Sequence, residues 1–504
     1  MLVLINPHLV AQANDLLTTG IVYMPIGLAQ FAGVLRAEGF DCRVIDAFGE
    51  APNQCWKQDQ FLLRGLAPRE VAERTPAGAD AVVVYAINLT YHRAIVSIVA
   101  ALKRTHPHIP IIVMENTQAV TAYSVRRVRG EFFDLGVSFV MTGEPERRGL
   151  ELVRALERRA NLDTIGTIDG IGFRRPDGTE HYTPPAGQIA DLDALPLPAW
   201  DLFPLDRYWK LGYAHGPLES RRYLPILTSR GCPYPCRFCV IPETNDTKWR
   251  ARSARHVVDE MEAHVRQFGV REFHVEDVDP TVQDARTREI CQEILNRRLK
   301  VTWKLGSGTK VETLKDASTI ELMARAGCRY ISISPESGSP RVLKAINKPF
   351  RLEHAVTLIQ AMNQHGIRSQ ACFVIGFPGE TDEDRQMTWD LVHRLTRVGV
   401  DEIALFIITP VPGSAIYEQF SGFTEYSQLN FSPTWREDYP ALSAFRLRLY
   451  RQFLLWKLRY HPLKLARQPL DFVRRRFRTK MEMTPYRALH TAWLERQARE
   501  LSPL

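Results

Sequence analysis

Cysteine is scarce, with eight in 504 residues, too few for a disulfide scaffold in a chain of this length. Also missing are a run of about 18 uncharged apolar residues, the least a membrane-spanning helix needs, and the charged-then-apolar opening of a secretory leader. No internal repeat or low-complexity tract appears. These absences lead us to expect a soluble, cytoplasmic protein with reduced thiols that touches a membrane at most peripherally. The length suggests roughly three domains, and 45% hydrophobic with 24% charged residues is an ordinary globular balance. Acid is short in one place. Between Arg446 and Lys480 one acidic residue, Asp471, stands against twelve Lys or Arg, whereas the whole chain carries only +8. The basicity therefore belongs to the tail.

Three of the eight cysteines lie together, in Arg230-Gly231-Cys232-Pro233-Tyr234-Pro235-Cys236-Arg237-Phe238-Cys239. A four-iron cluster normally takes one thiolate on each iron, so Cys232, Cys236 and Cys239 would leave one iron open for chemistry. A structural zinc site is the alternative and wants four closed ligands. No His follows within ten residues of Cys239, and the nearest, His256, falls in a helical stretch. The cluster reading outweighs zinc. Arg230 and Arg237 flank the loop and could offset the charge of its sulfurs, or form surface ion pairs. Cys291, Cys328 and Cys372 sit in helical or strand patterns as small buried hydrophobes.

The CxxxCxxC spacing, with aromatic Phe238 before the last cysteine, resembles the signature of the radical S-adenosylmethionine (SAM) enzymes. That resemblance implies a [4Fe-4S] cluster whose open iron chelates SAM and cleaves it to a 5′-deoxyadenosyl radical. It also implies an electron donor such as flavodoxin or ferredoxin.

Residues 1–150 alternate short apolar runs, at Met1–Ile5, Cys42–Asp46, Ala81–Tyr85, Ile109–Val113 and Phe139–Met141, with helical periods such as Pro25–Glu38. This is the pattern of a doubly wound parallel sheet covered by helices. Ligands in such sheets bind at the carboxyl ends of the strands. With Met24-Pro25-Ile26-Gly27 opening the first helix and Gly143-Glu144-Pro145-Glu146 near the end, the segment resembles the Rossmann-like cobalamin-binding domain that precedes many radical SAM cores. By that resemblance Asn88, Thr90, Glu115, Asn116, Thr142, Gly143 and Glu144 would cradle cobalamin. The DxHxxG motif that supplies a histidine to cobalt is absent, and Glu115-Asn116 stands where many relatives have two glycines. His8 and His92 lie near strand ends, where hydrogen-bonded surface roles are commoner than cobalt ligation.

Residues 151–209 read as a linker with a small hairpin, turned by Asp177-Gly178, followed by the Pro-rich Leu195–Trp200, which cannot be helix or central strand. From 210 to 430 a second βα series gives six strands, at Tyr223–Thr228, Glu272–Val275, Thr302–Leu305, Tyr330–Ile333, Gln370–Ile375 and Glu402–Ile408, with helices between. Ser253 is a plausible N-cap of the first of these helices. Six units make a partial (β/α)6 barrel with the cysteine loop at its catalytic face. By resemblance Phe238, Asp277, Glu336, Ile375 and Gly376 would line SAM. Residues 431–504 form a basic helical region.

The two domains together resemble the cobalamin-dependent radical SAM enzymes, class B methyltransferases among them. This implies methylation of an unactivated carbon or phosphorus centre on a small-molecule substrate, a lipid or natural-product intermediate. The alternatives are ring closure, hydroxylation or rearrangement, or a non-catalytic cluster or cobalamin sensor. The sequence offers no output domain for a sensor. It names no catalytic acid or base either, although Tyr234, Tyr330 and Tyr417 are conceivable hydrogen donors. Nucleic acid is not an expected partner, because the basic charge sits on no recognition fold. The 446–480 segment suits either a cap on the barrel or a peripheral membrane contact, and the cap is favoured.

Overall fold

The computed structural model describes the backbone of residues 1–119 and 121–501 and side chains as far as 497; the final three residues of the 431–504 region lie outside the described residues. Every residue of Ala81–Ala86 is buried, as β-branched runs are in a parallel sheet with both faces covered. Four further parallel strands flank it: Cys42–Asp46, Leu2–Asn6, Ile111–Glu115 and Phe139–Met141. The helix Ile26–Ala37 lies where the apolar period placed it.

The hairpin of Ile171–Arg174 and Glu180–Tyr182 adds antiparallel to Phe139–Met141, extending this sheet to seven strands. Asp177 shapes its turn by accepting the Thr179 N–H at 2.9 Å. The Pro-rich run then lies along Ile26–Ala37, where Gln30 donates to the Pro196 carbonyl at 2.6 Å and Trp200 is fully buried. A separate three-stranded antiparallel sheet, Leu9–Gln12, Phe61–Arg64 and Cys55–Gln58, carries too few residues per strand to have stood out in the sequence.

The second sheet has six parallel strands in chain order: Tyr223–Ile226, Glu272–Val275, Thr302–Thr309, Cys328–Glu336, Arg368–Ile375 and Glu402–Ile407. Helices Ala254–Phe268, Asp284–Asn296, Ala317–Arg325, Leu352–Gln364 and Asp382–Arg397 separate them, as the sequence led us to expect. Ser253 caps the first, its hydroxyl accepting the His256 N–H at 3.2 Å. A right-twisted strand feeding a right-handed helix can return to the same sheet in parallel only by this repeated crossover. Alternate residues on several strands are polar yet buried, among them Glu272 and His274, Lys304, Ser332 and Glu402. They pair with one another or with backbone, as buried polar groups must. Lys304 reaches Glu272 at 2.8 Å, and Glu272 also accepts the Ser220 N–H at 2.7 Å.

The tail begins with the helix Tyr439–Tyr460, which packs on Asp382–Arg397 and the sixth strand; there the Tyr450 hydroxyl accepts the Leu405 N–H at 2.9 Å. The chain then crosses the barrel opening. The Phe477 N–H bonds the Leu218 carbonyl at 2.7 Å, the Lys480 ammonium bonds the Gly306 carbonyl at 2.7 Å, and the Met481 N–H bonds Glu402. The last helix, Lys480–Leu501, returns to the N-terminal domain through Arg487 to the Leu17 carbonyl at 2.7 Å, Arg64 to Thr491 at 3.1 Å, and Lys57 to Glu495 at 2.8 Å.

Candidate functional site

The cysteine loop leaves the first strand of the second sheet. Its ends are stitched by a two-residue antiparallel ladder, Ser229–Arg230 against Arg250–Ala251. Gly231 opens the loop with φ +77°, and a Cβ there would lie 2.0 Å from the Lys248 carbonyl oxygen, so no other residue fits. Asp277 fixes the base of the loop. Buried at the end of the second strand, it accepts the Thr228 N–H at 2.7 Å and the Thr228 and Ser229 hydroxyls at 2.6 Å each.

The three thiols sit in apolar surroundings, Cys232 and Cys239 against Ala119 and Val240. Burial pushes Cys232 and Cys239 up to about 12 and raises Cys236 as well. Metal binding must therefore displace their protons. The Ile241 N–H points at the Cys239 sulfur at 3.5 Å, the kind of bond that tunes cluster thiolates. Among the described residues no three ligating groups converge on a single ion-sized point. Thiolates of a cluster bind separate irons and need not converge. The donor set fits an iron–sulfur cluster.

Two lysines face this loop. Lys348 is buried, pairs with Glu336 at 2.6 Å and lies 6.0 Å from the Phe238 ring centroid; against the cost of burial, Glu336 holds its pKa above the ordinary value. Lys310 pairs with Glu312 and sits 4.3 Å over Tyr234. Glu336 itself adopts φ +63° at a register break in its strand, which turns its carboxylate toward Lys348. Phe238 packs edge-on to Phe377, with centroids 5.7 Å apart. Ile375 is fully buried, and the Gly376 N–H donates to Glu380 at 2.5 Å.

Asp279 was not singled out in the sequence. It is buried, accepts the Thr313 hydroxyl at 3.2 Å through Oδ1, and leaves Oδ2 with no partner in the structure. Burial pushes it up to about 6. A buried carboxylate oxygen without a donor is costly and marks a place for one.

At the N-terminal domain the strand-end residues divide into two groups. Asn88 and Asn116 line a cleft between this domain and the second sheet. Asn88 accepts the Thr90 N–H at 3.0 Å, and Asn116 donates to the Ile87 carbonyl at 2.6 Å. The others tie strand ends together. Glu115 accepts the Val125 and Gly143 N–H groups at 2.9 and 2.8 Å, and burial pushes it up to about 7. Thr142 donates to the Gly170 carbonyl at 3.1 Å. Glu144 binds Arg250 at 2.7 Å and, with Glu146, receives buried Arg230 at 3.4 and 2.5 Å. Arg230 thus clamps the two domains, a role the sequence could not disclose. Arg237 instead fastens the loop by its backbone, its N–H on the Ile346 carbonyl at 3.0 Å.

One end of the cleft is polar. Five segments meet there: Tyr23 from the N-terminal domain, His215 from the stretch before the first strand, Glu276 and Ser307 from the second and third strands, and Lys480 from the tail. The His215 Nδ1–H donates to Glu276 at 2.8 Å, Ser307 donates to the same carboxylate at 2.9 Å, and the Lys480 ammonium faces His215 Nε2 at 3.3 Å. The Tyr23 and His215 rings lie 4.6 Å apart. Burial, and then Lys480 against the pull of Glu276, lowers the imidazole pKa, so His215 is neutral with its proton on Nδ1. The rest of the wall is largely apolar and aromatic, including Met24, Ile26, Tyr85, Tyr223 and Pro225. Gln118 lines the cleft as well, and its amide oxygen accepts the Gly231 N–H of the cysteine loop at 3.4 Å.

Neither His8 nor His92 lines this cleft. His8 is wholly buried with both ring nitrogens unpartnered, and His92 bonds Tyr123 and Glu131 at 3.1 and 2.9 Å. Tyr330 donates to Glu402, and Tyr417 packs 5.8 Å from Phe423. Cys372 departs from the expected buried hydrophobe: it is half-buried and hydrogen-bonds Ser332 at 3.3 Å.

Residues 226–392 match the model of the Radical SAM superfamily. The chain is similar to cytidylyl-2-hydroxyethylphosphonate methyltransferase of Streptomyces wedmorensis, with 26% identity over 82% of this chain and 81% of the relative. It is similar also to the anaerobic magnesium-protoporphyrin IX monomethyl ester cyclase of Rubrivivax gelatinosus, with 27% identity over 82% and 70%. Among solved structures its fold is like that of the radical SAM methyltransferase TsrM from Kitasatospora setae with cobalamin and a [4Fe-4S] cluster bound. The TM-score is 0.61 at 18% identity, over 84% of this chain and 75% of that one. Sequence signature, six-stranded half-barrel and thiol environment agree with a radical SAM domain over residues 226–392.

Proposed function

We propose that the protein is a cobalamin-dependent radical SAM methyltransferase. When bound, the cluster with SAM supplies a carbon-centred radical and cobalamin supplies the methyl group. One observation carries this reading. The carboxyl edge of the N-terminal sheet and residues of the barrel strands line the same cleft, and Gln118 on its wall reaches the cysteine loop by accepting the Gly231 N–H. A methyl donor and a radical source have to face a single substrate, and this arrangement allows it.

In this reading Cys232, Cys236 and Cys239 hold the cluster, while Lys310 and Lys348 offset its negative charge. Asp279 offers its unpartnered oxygen to the SAM ammonium. Phe238, Ile375, Gly376 and Glu336 form the surrounding wall, and Asp277 keeps the loop in place. Asn88, Asn116 and Thr90 meet the corrin side, with Glu115, Thr142, Gly143 and Glu144 holding the strand ends that shape it. The apolar walls exclude water, and the Glu276 carboxylate gives the cleft one polar end for a small-molecule substrate. An exposed face of the enzyme receives the electron donor, a flavodoxin or ferredoxin.

The likeness to a ring-forming cyclase keeps ring closure, hydroxylation or rearrangement as the second reading. Anaerobic reconstitution followed by chromatography of turnover mixtures separates them. Formation of 5′-deoxyadenosine together with S-adenosylhomocysteine, both lost in Cys236→Ala, is the expected outcome. Deoxyadenosine alone supports the second reading. Retention of cobalamin and cluster without SAM cleavage on any substrate offered supports a sensor and overturns both.

A further inference from the structure

The helix Tyr439–Tyr460 is inside out. Its inward face buries Arg446 and Lys457 beside Leu449 and Phe453, with Lys457 donating to the Asp401 carbonyl and Arg446 lying 3.8 Å from Asp15. Its outward face carries Leu447, Leu454, Leu455 and Leu458, between 43% and 59% exposed. At 3.6 residues per turn these four fall within a sector of about 100° and extend over about 16 Å of helix. The next two helices, Pro462–Ala466 and Gln468–Arg474, continue the pattern, with Leu463 80% and Val473 79% exposed. Single exposed leucines are ordinary, but an apolar face of this extent marks a surface with a partner.

Charge selects the partner. Arg448, Arg451 and Arg459 lie among or beside the leucines, and Arg474, Arg475 and Arg476 follow, all exposed. The single acid of the segment, Asp471, is buried and paired with Arg478 at 3.3 Å. Asp438, just before the helix, is paired with Arg436 at 2.7 Å. A second copy of the chain on this face would set arginine against arginine. Nucleic acid would satisfy the arginines and leave the leucines in water. An anionic bilayer satisfies both: leucines enter the headgroup boundary with the helix lying in the plane, and guanidinium groups reach phosphates while their stems cover apolar surface. We infer that this face docks the enzyme peripherally on an anionic lipid membrane. No helix among the described residues is long and apolar enough to cross one.

The test is co-sedimentation of the full-length, oxygen-protected protein with vesicles of phosphatidylcholine alone or with about a third phosphatidylglycerol, at salt from about 0.1 M upward. Retention on the anionic vesicles should exceed that on neutral ones by about tenfold or more and fall with salt. Two triple variants, Leu454→Glu with Leu455→Glu and Leu458→Glu, and Arg448→Glu with Arg451→Glu and Arg459→Glu, should each lose it while cleaving SAM at the parent rate. Leu17→Glu, at an equally exposed leucine of the N-terminal domain, should retain it. The inference is overturned if the parent does not bind anionic vesicles at low salt, or if the leucine variant binds as well as the parent. It is overturned too if the leucine variant merely dissociates a dimer. SAM cleavage is read separately, so failure here leaves the proposed reaction standing.

Discussion

The His215 imidazole and the Glu276 carboxylate, 2.8 Å apart, join the stretch ahead of the barrel to the end of its second strand, and both border the cleft. Lys480 and Ser307 complete the set from opposite sides. Burial alone would raise Glu276, yet the hydrogen bond from His215, the nearby His274 and the Ser307 hydroxyl hold it below the ordinary carboxylate value. Glu276→Gln keeps the size and removes the charge. With a substrate in hand, we expect SAM cleavage within about threefold of the parent but product formation down by about tenfold or more, the worth of a charged hydrogen bond. Equal loss of both products would show that the pair only holds the domains together.

Asp279→Asn should weaken SAM binding by about tenfold to a hundredfold, the range for a hydrogen bond to a charged group, with iron and sulfide content unchanged. Equilibrium dialysis of SAM against the reconstituted protein reads this directly. Unchanged binding would return Asp279 to a purely structural place beside Thr281 and Thr313.

Arg230→Met removes the cation between Glu144 and Glu146. Breaking a buried pair costs about 3–5 kcal/mol, and the double variant with Glu146→Gln should recover part of it. Urea unfolding of the iron-free protein measures both. If Arg230 served instead to offset sulfur charge, stability would hold and the potential of the reconstituted cluster would fall.

His8 gives a pH signature. Burial lowers its pKa from 6.5 to about 3, so between those values the unfolded chain binds a proton that the folded protein refuses. Stability is complete above about pH 6.5 and declines as pH falls toward 3. At pH 5 this amounts to about 2 kcal/mol. His8→Phe should flatten that part of the pH profile of the urea midpoint relative to the parent, and parallel profiles would show that the ring is solvated.

Ala371–Ile375 was legible as an apolar run, strands such as Glu272–Val275 by apolar residues alternating with polar ones between helical stretches, and the helices because their apolar period is 3.6. The cysteine loop announced itself by spacing alone. The roles of Arg230 and Lys480 were not legible. Arg230 meets an acid 84 residues earlier and Lys480 meets a histidine 265 residues earlier, and no local pattern encodes pairings of that span. His215 lies in a segment with no motif, and Asp279 looked like its acidic neighbours until the fold left one of its oxygens unpaired. The tail meets the barrel strands through Phe477–Met481 as well as through the helix Tyr439–Tyr460.

The last helix is the strap that fastens the N-terminal domain to the barrel, through Arg64, Arg487 and Lys480. A weakened strap would loosen the N-terminal domain from the barrel and widen the cleft between them.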